Sequence, residues 1–210
     1  MIYQRRIEIY GASRPEETRK KNEDAYLIMR EQPIAAALCD GAGNAEGSAK
    51  KILSMFQKLI RAASAEDISK FDTWNKWSRL LDTSLSGGNQ STFVAVAALE
   101  NGYVGTCIGD SRIYKITRDG NIVILTEGAP KYRLGSGEIK PLPIHERFEN
   151  TKMLLLMSDG AWGPLNLYKL QKLIIKMTFN HLSDLPNAIL DEASRYGRGD
   201  DMTVVVIQRK

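Results

Sequence analysis

The stretch STFVAVAALENGYVGTCIGDSRIYKITRDGNIVIL, residues 91–125, decides the fold class. Four apolar, β-branched runs lie within it: Ser91–Leu99, Tyr103–Ile108, Arg112–Thr117 and Asn121–Leu125. Glu100-Asn101-Gly102 and Arg118-Asp119-Gly120 separate the first and last pairs. Asn-Gly and Asp-Gly are the strongest short-range hairpin signals, because a type I′ turn needs positive φ at both central residues. The stretch therefore reads as an antiparallel meander. Before it, Ala49, Ile52, Leu53, Phe56, Leu59 and Ile60 recur at helical spacing within 45–63, and a second helical stripe carries Phe71, Trp74, Trp77, Leu80 and Leu81. After it come a looser segment, Thr126–Asn150, an apolar strand at Lys152–Met157, helices near 165–178 and 185–196, and a last strand at Met202–Gln208. Strands at Arg6–Tyr10, Ala25–Arg30 and Ile34–Cys39 open the chain, the first followed by a polar segment, Gly11–Thr18. Helices grouped between sets of antiparallel strands indicate α+β and not a doubly wound parallel sheet. Without repeat, low-complexity tract or linker, residues 1–210 read as one domain.

Composition narrows the function classes. Of 210 residues, 43% are hydrophobic and 26% charged, as in ordinary soluble domains. The net charge of +4 (pI about 9.0) comes without a Lys/Arg block interleaved with aromatics. Arg19-Lys20-Lys21 is the nearest candidate, so a nucleic-acid partner is not expected. Cys39 and Cys107 each sit inside an apolar run and read as buried small hydrophobes. The first residues lack the apolar core of a signal peptide, and no run reaches the ~18–20 apolar residues that span a bilayer. A cytoplasmic protein with no membrane partner is expected.

Five acidic residues flank the apolar runs: Asp24 in Asn22-Glu23-Asp24-Ala25, Asp40 in Cys39-Asp40-Gly41, Asp110 in Gly109-Asp110-Ser111, Asp159 in Ser158-Asp159-Gly160, and Asp200 in Gly199-Asp200-Asp201. Taken singly, Asp-Gly pairs at strand ends are turns, and Gly109-Asp110-Ser111 reads as a tight turn between two strands. Jointly they place carboxylates at the rim of a buried core. Carboxylates crowded there repel one another unless a cation neutralises them, and oxygen-only ligands suit Mg²⁺ or Mn²⁺.

In order and type, six motifs resemble the metal-dependent protein phosphatases, the phosphatase 2C family of serine/threonine phosphatases, in a short bacterial form. They are Arg19-Lys20-Lys21-Asn22-Glu23-Asp24-Ala25, Cys39-Asp40-Gly41-Ala42-Gly43, Gln90-Ser91-Thr92, Ile108-Gly109-Asp110-Ser111-Arg112, Met157-Ser158-Asp159-Gly160 and the run from Gly199 to Val206. The resemblance implies a four-layer α-β-β-α sandwich of two antiparallel sheets flanked by helix pairs, with the metals in a cleft at one edge. It implies that Asp40, Asp159 and Asp200 hold a first Mn²⁺ or Mg²⁺. Asp40, the Gly41 carbonyl and Glu23 would hold a second, and Asp110 with Asp159 a weaker third. Asp24 would support this shell, and Arg19 would bind the substrate phosphate. The implied reaction is attack on phosphoserine or phosphothreonine by a hydroxide bridging the metals. The implied partner is a phosphorylated protein, either a target of a serine/threonine kinase or the kinase itself. No Cys-x5-Arg spacing offers a cysteine nucleophile, and His145 and His181 lie outside every motif.

Three departures mark this chain. Ala42 stands where some members carry His, followed by Gly43-Asn44-Ala45-Glu46-Gly47 in place of Gly-Gly-His. Asp201 replaces the usual Asn, and it either strengthens or distorts the metal shell. Only 48 residues separate Asp110 from Asp159, which implies a reduced flap and loose peptide selectivity. Two other readings stay open: an inactive relative serving as a binding module, and a hydrolase of small phosphate esters.

Overall fold

Runs that are apolar at every position, such as Leu154-Leu155-Leu156 and Val204-Val205-Val206-Ile207, need a layer on each face of their sheet, and the architecture supplies it. The computed structural model describes residues 7–17, 21–42, 47–85, 87–178, 181–196 and 199–210. In chain order the elements begin with β1 (Ile7–Arg14), β2 (Ala25–Met29), β3 (Ala35–Cys39) and β4 (Gly41–Ala42). The helices α1 (Ser48–Ala62), α2 (Ala65–Ser69) and α3 (Phe71–Ser84) follow, then β5 (Gln90–Ser91), β6 (Phe93–Ala98), β7 (Gly102–Ile108), β8 (Arg112–Ile116) and β9 (Ile122–Ile124). The chain continues through β10 (Leu142–Arg147), β11 (Met153–Met157), α4 (Asp159–Trp162), α5 (Leu167–Thr178), α6 (Leu185–Ser194) and β12 (Met202–Arg209).

Two five-stranded sheets result, ordered β1-β12-β11-β8-β9 and β10-β7-β6-β3-β2, with a small β4-β5 ladder beside them. Every pairing is antiparallel. Side chains alternate between faces. Leu154, Leu156, Val205, Ile207 and Ile113 meet Ala36, Leu38, Val94, Val96 and Cys107 between the sheets. Met153, Leu155, Met157, Val204 and Val206 instead meet Leu170, Ile174, Ile189 and Leu190 of α5 and α6. On the opposite outer face, Ala35, Ala37, Phe93 and Ala95 are covered by Ile52, Phe56, Ile60, Trp74 and Trp77 of α1 and α3. The α-β-β-α sandwich is thus the arrangement that keeps both faces of the central strands dry.

Three details differ from the expectations above. Residues 91–125 form two hairpins and no meander: β6-β7 belongs to one sheet and β8-β9 to the other. Gly109-Asp110-Ser111 is the crossing between the sheets. The polar residues Gly11–Arg14 continue β1, because β12 offers partners along its length, from Ile7↔Arg209 to Arg14↔Met202. The segment 126–150 holds β10, an edge strand on β7 in which Pro143 faces Thr106. An edge tolerates a residue that cannot donate to the ladder, and this is why Pro143 did not prevent a strand.

The candidate metal and phosphate site

Strand register brings the acidic motifs to one end of the sandwich. Ala25 pairs with Cys39, Leu38 with Val94, and Phe93 with Ile108, so β2 starts where β3 and β7 end. In the other sheet Met157 pairs with both Arg112 and Val204, so β11 ends where β8 and β12 start. Asp24 and Asp40 therefore arrive from one sheet, Asp159 and Asp200 from the other, and Asp110 from the crossing.

The backbone at each point is fixed. The Asp40 carbonyl accepts from Thr92 N (2.9 Å) and Ser91 Oγ (3.1 Å), and Asp40 N donates to Thr92 Oγ1 (2.9 Å). Thr92 Oγ1 and Ser111 Oγ lie 2.8 Å apart, which ties this corner to the crossing. Trp162 Nε1 donates to the Asp110 carbonyl (3.1 Å), with the Arg112 guanidinium stacked on the same indole. The glycines of Asp40-Gly41 and Asp159-Gly160 serve close approach and not turns. A Cβ on Gly41 would lie 2.8 Å from the Glu23 carbonyl oxygen, and one on Gly160 only 2.2 Å from that of Asp201.

Carboxylate oxygens of Asp40, Asp110 and Asp159 all lie within 4.8 Å of one another. Asp159 Oδ1 is buried and accepts no hydrogen bond. Asp200 stands outside this trio, and its Oδ1 accepts from Asp201 N (2.9 Å). Asp24 is buried; its Oδ2 accepts from Ser158 Oγ (2.7 Å), which itself accepts from Thr203 N (2.8 Å). Burial, assisted by repulsion from Asp24 and Asp159 and opposed by Arg133, pushes the Asp40 carboxyl up to about 8. Burial lifts Asp24 to about 7 despite its hydrogen bond from Ser158. Asp159 is raised by burial and by the Asp200 and Asp110 charges. A partly buried, mutually repelling, all-oxygen set with an orphaned oxygen fits a hard divalent cation.

Glu23 lies beside this cluster through its backbone: its carbonyl accepts from Gly41 N (3.3 Å). Arg19 lies outside the described residues. Asp201 Oδ1 accepts from Glu16 N and its Oδ2 from Glu23 N, each at 2.6 Å. Asp201 thus clamps the backbone of Glu16 to that of Glu23. A cavity of about 410 Å³ is lined by Lys21, Asn22, Glu23, Gly47 and Lys50. A larger one, about 630 Å³, surrounds the β6-β7 turn at the opposite end, remote from the five aspartates. Cys39 and Cys107 are fully buried, and burial pushes the Cys107 thiol up to about 12 and Cys39 higher still, so neither is a thiolate near neutral pH. The sequence did not single out Arg133. Its guanidinium lies 3.4 Å from Asp110 Oδ1 and 3.7 Å from Asp40 Oδ2, in a segment read as surface cover.

No protein-family model matches the sequence, and no curated protein is recognisably similar to it. Among solved structures the likeness is clear. A bacterial serine phosphatase superposes with a TM-score of 0.83 at 20% identity, over 97% of this chain and 98% of that one. The serine/threonine phosphatase Stp1 from Staphylococcus aureus gives 0.80 at 20% identity, over 97% and 95%. The catalytic domain of the serine/threonine protein phosphatase PstP, in complex with two manganese ions, gives 0.77 at 20% identity, over 96% and 97%. Across nearly its whole length, this chain has the fold of the bacterial metal-dependent serine/threonine phosphatases.

Proposed function

We propose that residues 1–210 form one phosphatase domain that hydrolyses phosphoserine and phosphothreonine in proteins, with two manganese or magnesium ions as cofactor. The observation that carries this reading is the Asp40-Asp110-Asp159 trio with its orphaned oxygen, at the rim of a fold shared with phosphatases. Asp40, Asp159 and Asp200, with the Gly41 carbonyl and Glu23, would hold the ions, and Asp110 would offer a further, weaker ligand. Bound there, the ions supply hydroxide near neutral pH and offset charge on the phosphoryl oxygens.

The chain's own residues do the rest. Arg19 pairs with the substrate phosphate through its planar guanidinium, which matches two phosphate oxygens at once. Asp201 holds the backbone of Glu16 and of Glu23, and with it one of the residues that would hold the ions. Asp24, fixed by Ser158, keeps a carboxyl near its titration point at the edge of the cluster, where it can exchange a proton with water. Lys21 and Lys50 line the adjoining cavity and favour an acidic, phosphorylated peptide. The partner is a protein phosphorylated by a serine/threonine kinase, or that kinase, in the cytoplasm. Among the described residues no helix is long and apolar enough to cross a membrane.

The test is phosphate release from a phosphothreonine peptide with Mn²⁺, Mg²⁺ or EDTA, beside Asp159→Asn and with p-nitrophenyl phosphate as a second substrate. Metal-dependent release that EDTA and Asp159→Asn both abolish is expected, with the peptide preferred. Turnover of the small ester alone would make the protein a small-ester hydrolase. A folded protein without turnover under any metal would leave a binding module.

A further inference from the structure

We propose that Arg133 is a tethered cation that competes with a metal ion for the Asp40–Asp110 edge of the cluster. The inference rests on the metal-dependent reading above. Its starting point is position: one guanidinium reaches a carboxylate oxygen of each of two residues whose oxygens also converge with Asp159. A divalent ion bound to both carboxylates would bring like charges together in a partly buried place, so the two cations exclude each other.

The segment is built to hold Arg133 there. Next to it, Leu134 is fully buried and forms a two-way bridge with Ser91: Ser91 N donates to Leu134 O (3.1 Å) and Leu134 N to Ser91 O (2.8 Å). Ser91 itself bonds the Asp40 carbonyl, so one short chain of contacts sets Arg133 against Asp40. Just beyond, Asp82 at the end of α3 accepts from Gly135 N (2.7 Å) and Gly137 N (3.3 Å). Gly135 adopts φ +87, and a Cβ there would lie 2.2 Å from the Asn89 carbonyl oxygen. The loop is therefore anchored at the bridge and again just beyond it.

Metal occupancy is accordingly a contest. Without metal, Arg133 partly neutralises Asp40 and Asp110. When the cluster fills, the guanidinium must withdraw from that edge, and the strength of the loop's anchors sets how readily it does so. Arg133 thereby lowers the affinity of the metal that uses Asp110, without being a ligand to anything.

The experiment is calorimetric titration of the purified, metal-free chain with Mn²⁺ alone, for wild type, Arg133→Ala, Arg133→Gln, Arg133→Lys and Asp82→Ala. Removing the charge should tighten the weakest Mn²⁺ step by roughly ten-fold, within the usual range of coupling between sites. Arg133→Lys should stay near wild type. Asp82→Ala should shift affinity the same way with Arg133 still present, and add nothing in the Arg133→Ala background. Arg133→Gln keeps most of the side chain's volume and guards against misfolding of the alanine variant. Unchanged or weaker Mn²⁺ binding in both neutral variants, including a lowered melting temperature alone, would overturn the proposal. If wild type itself binds no Mn²⁺, the metal-dependent reading fails, and this inference with it.

Discussion

Asp201 stands one residue past a candidate metal ligand, yet its side chain turns to the backbone of another segment. Both oxygens accept, from Glu16 N and Glu23 N, and the residue is buried. An amide has only one acceptor oxygen, so Asp201→Asn must lose one of these bonds. The expected outcome is a loss of about 1–3 kcal/mol in stability and, because the backbone of Glu16 or Glu23 is released, a raised KM for phosphopeptide and weaker Mn²⁺ binding. Steady-state kinetics and thermal unfolding read both. Asp159→Asn should do the opposite to the metal-free protein. It removes one of the charges crowded at the rim, so melting should rise by about 2–4 °C while turnover falls at least roughly 100-fold. A melting temperature lower than wild type in EDTA would argue against that crowding.

At the scale of elements, the sequence read best where burial is two-sided. Lys152–Met157 and Met202–Gln208 are apolar at nearly every position and fell where β11 and β12 lie. The stripes through Phe56, Trp74 and Trp77 marked α1 and α3. What could not be read is what neighbours impose. Gly11–Arg14 has no strand-like composition and is extended only because β12 runs beside it. The hairpins 91–125 look alike in sequence, and only packing sends them to different sheets. The convergence of Asp40, Asp110 and Asp159 was legible because small residues accompany them at strand ends. Arg133 was not, since its place depends on a bridge to residue 91, over 40 positions away. Packing at the helix layer gives its own prediction. Phe56 is fully buried against Trp74, Trp77 and Phe93. Phe56→Ala should cost about 3–5 kcal/mol, lowering the melting temperature by about 10 °C, with metal-dependent turnover per folded molecule little changed.

For the molecule as a whole, the site makes stability depend on pH in an uncommon sense. Asp24 and Asp40 titrate near 7 and 8 in the folded chain, against 3.8 ordinarily, with burial the main cause. Between about pH 4 and 8 the folded state therefore binds more protons than the unfolded state, and stability falls as pH rises. Thermal unfolding in EDTA should show a melting temperature lower at pH 8 than at pH 5 by on the order of 10 °C. Saturating Mn²⁺ should flatten or reverse this slope, because metal binds the ionised carboxylates. An EDTA profile that rises from pH 5 to 8 would contradict the burial of these two groups.

The pairing of β1 with β12 has a mechanical consequence. Ile7 lies opposite Arg209 and Arg14 opposite Met202, so residues 7 and 209 sit side by side at the end remote from the aspartates. Tension applied at positions 7 and 209 would load one pair of bonds at a time and peel the ribbon open, not shear it. The tear would run toward residue 201, where the anchors of Glu16 and Glu23 are the next links to part. A molecule pulled this way should open at low force and part the Asp201 anchors early, while the sheet that carries Asp40 is still folded.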